Sequence, residues 1–271
     1  GQVLEVGALA QDLFPAVVGL KFFAGHSTGN MGLITEEEQR RVYRWLAEAG
    51  YEGVVALHCE KESLLCPECT DPFDLSSHSR VRPPEAEIAS VVDQIRFSEE
   101  EGFCGHLHIC HLSTMGALEA VEGARSAGRR ISCAVTPHHL LLSEEDAKER
   151  SLWAKMNPPL RSEAERRALF AATLAGRIDW IETDHAPHTL ADKEGGASGI
   201  PGFSGLLLAV KALIDGGIDP ALLSELLGGR VKRLFSLEEV GLSIPPYGQL
   251  QALSEQAARE YPFDSFARVR A

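Results

Sequence analysis

The sequence predicts an α/β protein of the (β/α)8-barrel type, and three observations carry that expectation. Short apolar runs alternate with amphipathic stretches, the pattern of a parallel sheet built from βα repeats. Five such units follow one another along the chain. Lys21 sits inside its apolar run, while His58, His111, Thr136 and Asp184 fall at or just beyond the ends of theirs. A doubly wound sheet would satisfy the first two observations. In a barrel, however, the carboxyl ends of the strands converge on one face, where barrel enzymes build their sites. The third observation therefore selects the barrel.

The elements follow in order. Residues 2–6 read as a strand, and residues 17–23 as the next, with a Gly-rich loop over 24–32. Gly25, Gly29 and Gly32 give that loop the backbone freedom a lid requires. Thr35 and Glu38 stand at capping-box spacing and start a helix that runs to Ala49-Gly50. A strand over 53–58 leads through a long loop to a helix over 84–101, where Pro84 suits the first helical turn. A strand over 106–110, a helix over 114–127 and a strand over 131–135 come next. The last of these stops at Thr136-Pro137, because proline cannot continue a ladder. A helix over 163–175, a strand over 179–183 and helices over 203–214 and 220–227 complete the pattern. Residues 1–240 are thus expected to form the barrel, and 241–271 a tail that is partly helical or irregular.

Composition narrows the function. Lys and Arg number 26 against 39 Asp and Glu, a formal charge of -13. That balance speaks against nucleic acid and anionic membranes, which need basic surface, but leaves a small anionic substrate open. No apolar run approaches the ~20 residues that span a bilayer. Six cysteines are too sparse for a disulfide scaffold, so a cytoplasmic protein is expected, with Cys66 and Cys69 as two unlinked loop cysteines.

Four side chains carry chemistry. Lys21, within Val-Gly-Leu-Lys-Phe-Phe, is either an edge lysine whose stem snorkels to water or a buried amine. In the second case its lowered pKa would let it take up carbon dioxide, and the carbamate's two oxygens could bridge two cations. His58 and His111 each read alone as core or solvent-facing histidines. Together, ending successive strands, they fit metal ligation. His106 and His108 are supporting or structural. Asp184, in Thr-Asp-His-Ala-Pro-His, could ligate a metal and relay a proton, or make an Asx turn.

Several segments then line up as a series: Gly19-Leu20-Lys21-Phe22-Phe23, Leu57-His58-Cys59-Glu60, Arg82-Pro83-Pro84-Glu85-Ala86 and His108-Ile109-Cys110-His111-Leu112-Ser113-Thr114. Thr136-Pro137-His138-His139-Leu140, Asn157-Pro158-Pro159-Leu160-Arg161, Thr183-Asp184-His185-Ala186-Pro187-His188 and Pro201-Gly202-Phe203 continue it. In this order and spacing, over residues 1 to about 240, the chain resembles the dihydroorotases of the amidohydrolase superfamily. The resemblance implies two zinc ions at the barrel mouth, bridged by a carbamylated Lys21. His58 and His111 would ligate one ion, and Asp184 the other, with Asp184 also the general acid/base. Asn157, His188 and the backbone at Pro201 and Gly202 would hold the ring and its carboxylate, with Thr28 on the lid. The implied reaction is the reversible cyclisation of N-carbamoyl-L-aspartate to L-dihydroorotate in pyrimidine (UMP) biosynthesis. A homodimer, associated with aspartate carbamoyltransferase, is the implied assembly.

The chain departs from the family at one point. Family members open with a strand ending in His-x-His-x-Arg, followed by an Asn, and neither is present here. The strands match the fourth to eighth of a standard barrel, with 2–6 as the third, so part of the parent protein is expected to lie outside this chain. Two alternatives stand beside the first reading: another cyclic-amide hydrolase such as an allantoinase or dihydropyrimidinase, and an inactive dihydroorotase-like subunit that scaffolds its partner.

Overall fold

Each strand that the periodicity marks between residues 17 and 183 forms, and every ladder is parallel. The structure, a computed structural model, describes residues 17–27, 31–71, 77–237 and 243–270. The expected strand over 2–6 lies outside these residues. In chain order the first elements are β1 (Gly19–Ala24), α1 (Glu36–Glu48), β2 (Val54–Cys59), α2 (Ser77–Val81), α3 (Pro84–Glu100), β3 (His106–Ile109), α4 (Met115–Ser126) and β4 (Ile131–Val135). There follow α5 (Pro137–Leu141), α6 (Glu144–Arg150), α7 (Glu163–Leu174), β5 (Trp180–Ile181), α8 (Leu190–Glu194) and α9 (Phe203–Asp215). The last are α10 (Pro220–Ser224), α11 (Arg230–Leu234), α12 (Leu250–Ala258) and α13 (Ala267–Arg270). Strand order in the sheet is β1-β2-β3-β4-β5. Among the described residues no helix is long and apolar enough to cross a membrane.

The chain divides into two compact units. The first takes residues up to Leu65, Pro83–Cys110 and Gly116–Cys133; the second takes Cys66–Arg82, His111–Met115 and everything from Ala134 onward. In the first unit, α1 starts at the expected capping box: Glu38 N–H donates to Thr35 Oγ1 at 3.2 Å, and Thr35 N–H to Glu38 Oε2 at 2.9 Å. Its buried face carries Tyr43, whose ring lies 5.8 Å from both Phe22 of β1 and Phe103. Tyr43 is fully buried and needs a partner for its hydroxyl. The hydroxyl donates to Gln94 Oε1 (2.9 Å), Gln94 Nε2 to Gln39 Oε1 (2.7 Å), and Gln39 Nε2 to the Leu33 carbonyl (2.8 Å). A relay of amides thus crosses an apolar layer with each group satisfied, which costs little and fixes α1 against α3.

In the second unit the core gathers Leu142, Met156, Leu160, Ile200, Leu208, Phe263 and Phe266. The tail expected to be partly helical or irregular supplies two of these. Its helix α12 packs on α9, and Ser254 Oγ donates to the Ser204 carbonyl at 2.8 Å. Gly205 makes this approach possible, since a Cβ there would lie 2.2 Å from the Phe266 ring.

Three local expectations are corrected. The strand expected over 179–183 is only Trp180–Ile181, because the backbone leaves the ladder before Asp184, which takes a left-handed φ of 42°. The helix expected over 220–227 ends at Ser224, and a wide turn follows with Gly228 at φ 149°. Cys66 and Cys69 are joined in a disulfide rather than unlinked. The tight turn over Pro67–Cys69 brings their Cα atoms to 5.4 Å, within bridging range, which composition alone could not reveal.

Candidate active site

In the first unit the register of the parallel ladders decides which side chains share a face. Leu20, Lys21 and Phe22 pair with Val55, Ala56 and Leu57, and Ala56 pairs with His108, which pairs with Ser132. Side chains alternate along a strand, and residues in register point the same way. Phe22 packs on Tyr43 of the helical layer, so Lys21, Ala56, His108 and Ser132 form one row on the opposite face. Phe23 and His58 stand in register one row nearer the carboxyl end.

His58 is buried, and its Nε2 lies 3.0 Å from Oε2 of the equally buried Glu60. That is ion-pair distance between two groups taken out of water, and a buried carboxylate beside an imidazole is a common companion of metal-binding histidines. Sequence reasoning quoted Glu60 within a motif but gave it no role. His106 and His108 both belong to the inner face, where each contacts the Ser132 hydroxyl, at 2.8 and 3.0 Å. Burial, and then the neighbouring His108, push the His106 pKa down to about 4, so it is a neutral structural group.

Lys21 is not the buried amine of one sequence reading. It is exposed, with Nζ 5.1 Å from the Phe23 ring centroid. The cause is its position on β1, the edge strand among the described residues, which leaves one flank open.

In the second unit two candidate ligands have unusual backbones. Among the described residues only three non-glycines take positive φ: His111 at 37°, Asp184 at 42° and Ser236. A left-handed conformation costs a non-glycine residue of order 1 kcal/mol and concentrates at functional sites. The surroundings hold both in place. His111 N–H donates to Glu182 Oε1 at 2.6 Å, and Leu112 N–H to the Ala134 carbonyl at 2.8 Å. After Asp184, His185 stacks on Phe203 with centroids 3.8 Å apart. His185 Nδ1 accepts from the backbone of Gly202 (3.1 Å) and Phe203 (3.4 Å), so the proton sits on Nε2, 3.2 Å from the Tyr261 hydroxyl. Burial lowers its pKa, in keeping with a neutral ring. Gly202 also lies against the end of β5: a Cβ there would be 2.1 Å from the Thr183 carbonyl oxygen.

The remaining candidates join this group. His188 Nε2 donates to the Ser198 carbonyl at 3.1 Å. Asn157 precedes a cis proline, and its Oδ1 lies 2.8 Å from His78 Nε2, which also reaches the Met156 carbonyl at 3.1 Å. A carbonyl can only accept, so His78 Nε2 carries the proton and donates to both. Buried His139 donates from Nε2 to the Pro158 carbonyl (3.1 Å), and Arg161 donates to Ser113 Oγ (3.0 Å) and the Arg82 carbonyl (2.6 Å). Glu182 thus ties to His111, His185 to Gly202, His188 to Ser198 and Asn157 to His78. His78, Glu182 and Tyr261 were missed, because each acts through a partner distant in sequence. Thr28 lies outside the described residues.

No family model matches the chain. Over 162 residues it is 40% identical to the dihydroorotase of Lactiplantibacillus plantarum, covering 58% of this chain and 37% of that protein. Over 257 residues it is 31% identical to the dihydroorotase of Lactobacillus johnsonii, covering 90% of this chain and 60% of that protein. Among solved structures, an L-hydantoinase (dihydropyrimidinase) from Arthrobacter aurescens superposes with a TM-score of 0.75 at 21% identity, over 87% of this chain and 54% of that one. The fold is therefore part of a (β/α) barrel. The sequence kinship is with proteins curated as dihydroorotases. The chain spans about half the length of the curated relatives it matches.

Proposed function

We propose that the protein carrying this chain is a dihydroorotase, interconverting N-carbamoyl-L-aspartate and L-dihydroorotate in the cytoplasm with the help of a zinc pair. The observation that carries this reading is the left-handed backbone at His111 and Asp184, since strain at two side chains of ligating type is what a built metal site would impose. The donor set fits zinc: imidazoles of His58 and His111, the first backed by Glu60, and the carboxylate of Asp184. The resemblance assigns Lys21, as a carbamate, to complete the bridge; the exposed position of its side chain adds no support to that role. Bound zinc supplies Lewis acidity that activates both water and the ring amide carbonyl.

The chain's own residues do the rest. Asp184 takes a proton on one oxygen and returns it to the ring nitrogen that leaves, and in the biosynthetic direction it runs the reverse transfer. The Asn157 amide, with Oδ1 committed to His78, offers its N–H donors to a ring oxygen. The backbone at Pro201 and Gly202, locked by His185, holds the carboxylate side of the ring.

Turnover of dihydroorotate, dihydrouracil and allantoin, measured side by side on the whole protein with metal analysis, tests the reading. Preference for dihydroorotate with two zinc ions per chain is expected. Preference for either other ring would make it a sibling cyclic-amide hydrolase, and absence of metal and turnover would make it a silent subunit.

A further inference from the structure

Lys193 lies on α8 with its side chain fully buried, a rare place for a lysine. Its Nζ donates to three carbonyl oxygens, those of Lys155 (3.0 Å), Ala197 (3.0 Å) and Gly199 (2.9 Å). An ammonium has three protons, so its donor capacity is used in full. The Phe263 ring centroid lies 5.6 Å away and closes the apolar side.

The carbonyls belong to two backbone segments far apart in sequence. One segment holds Lys155 and, two residues on, Asn157; the other runs from Ala197 to Pro201 and Gly202. The same segments are cross-tied by Gly199 N–H to the Lys155 carbonyl (2.9 Å) and by Lys155 Nζ to the Gly196 carbonyl (2.6 Å). Gly199 sits directly beneath His188: a Cβ there would be 2.7 Å from His188 Nε2. The carbonyls that meet on this cation thus stand two residues from Asn157 and three from Gly202, with Gly199 against His188. A methionine could fill the same volume without desolvating a charge. What the ammonium adds is three directional bonds diverging from one point, and so a fixed separation between the segments.

We propose that Lys193 is a positioning residue whose ammonium sets the width of the ring-binding slot between the Asn157 segment and residues 197–202. This rests on the reading above that those segments contact a cyclic amide. Lys193 touches no reacting atom, and its effect is exerted through the backbone. Burial, with the facing charge of Lys155, lowers its pKa to about 8. Asp192, on the same helix, is occupied in capping Thr189.

The test compares wild type with Lys193→Met by hydrogen exchange and by steady-state kinetics on dihydroorotate. Protection at Ala197 and Gly199 should fall about tenfold while α9 keeps its own, the mark of a local opening rather than global loss. KM should rise about tenfold with kcat reduced less than about threefold, because the slot binds the ring but does not transform it. Unchanged protection at 197–199, or a kcat loss with KM intact, overturns the proposal. If Lys193→Met fails to fold, Lys155→Met removes only the reciprocal bond; it should give the same pattern at smaller size, and unaltered protection there also overturns it. Should wild type turn over no cyclic amide, the functional reading falls alone, and the exchange comparison still decides whether the clamp exists.

Discussion

In the first unit, Lys21, His58 and His108 are placed by strands, and their direction follows from ladder register alone. In the second unit, His111, Asn157, Asp184, His188 and Gly202 sit beyond strand ends or on loops. Their direction depends on bonds to Glu182, His78, His185 and the Lys193 network. Strand placement is cheap, because the backbone is satisfied before any side chain is chosen. Loop placement requires buried polar groups, left-handed residues and close glycine contacts, each a local cost offset by the surrounding fold. The loop-held half should therefore be the more sensitive to single substitutions.

The sharpest way to break that contrast is Asp184→Ala. On the proposed function it should lower kcat by about a thousandfold or more while the melting temperature stays within a few degrees, since the proposed proton relay and ligand go and the buried apolar core is left as it is. Near-normal kcat would remove Asp184 from the mechanism.

The strand-held row has a pH signature. His106 is pushed down to about 4 in the folded chain, so folding disfavours its protonation. The unfolded chain binds the extra proton between about 6.5 and 4, and stability is complete above that window and is lost as pH falls through it. The contribution is at most about 3 kcal/mol, and His106→Gln should flatten the acid limb of a denaturation series. An unchanged limb would mean the row is more open to water than its geometry indicates.

Gly202→Ala comes next. Its Cβ would meet the Thr183 carbonyl, and the backbone must shift, at a cost of about 1–3 kcal/mol seen in the denaturant midpoint. Smallest is Tyr43→Phe, which removes one end of the buried amide relay and should cost about 1 kcal/mol by the same measurement. If the Tyr43 change proved the larger of the two, the ranking of loop over strand would be reversed.

Much of this architecture was legible in the residues. The capping box at Thr35 and Glu38, proline at the start of α3, and apolar runs of strand length are local signals, and each element they mark forms within a residue or two. The placement of His111 just past the end of β3 was equally readable, because strand termination is local; Asp184 lies three residues beyond Ile181 instead of directly after its strand. The turn joining Cys66 to Cys69, the helix α5 after Thr136 and the short β5 were not, since each is settled by geometry that composition does not encode. Lys21 was readable as a strand residue with two alternatives, edge or buried, and the structure selects the exposed edge one, because exposure depends on which neighbours flank the strand.

By itself, then, the sequence determined a repeated βα chain and the candidate ligating side chains near its strand ends, because periodicity and capping act within a few residues. Only the tertiary structure decided that His58 is backed by Glu60, that His111 and Asp184 are held left-handed, and that one buried ammonium joins residues 155 and 199. Those outcomes depend on desolvation and, at His111 and Lys193, on hydrogen bonds that span 71 and 38 residues, where no local propensity reaches.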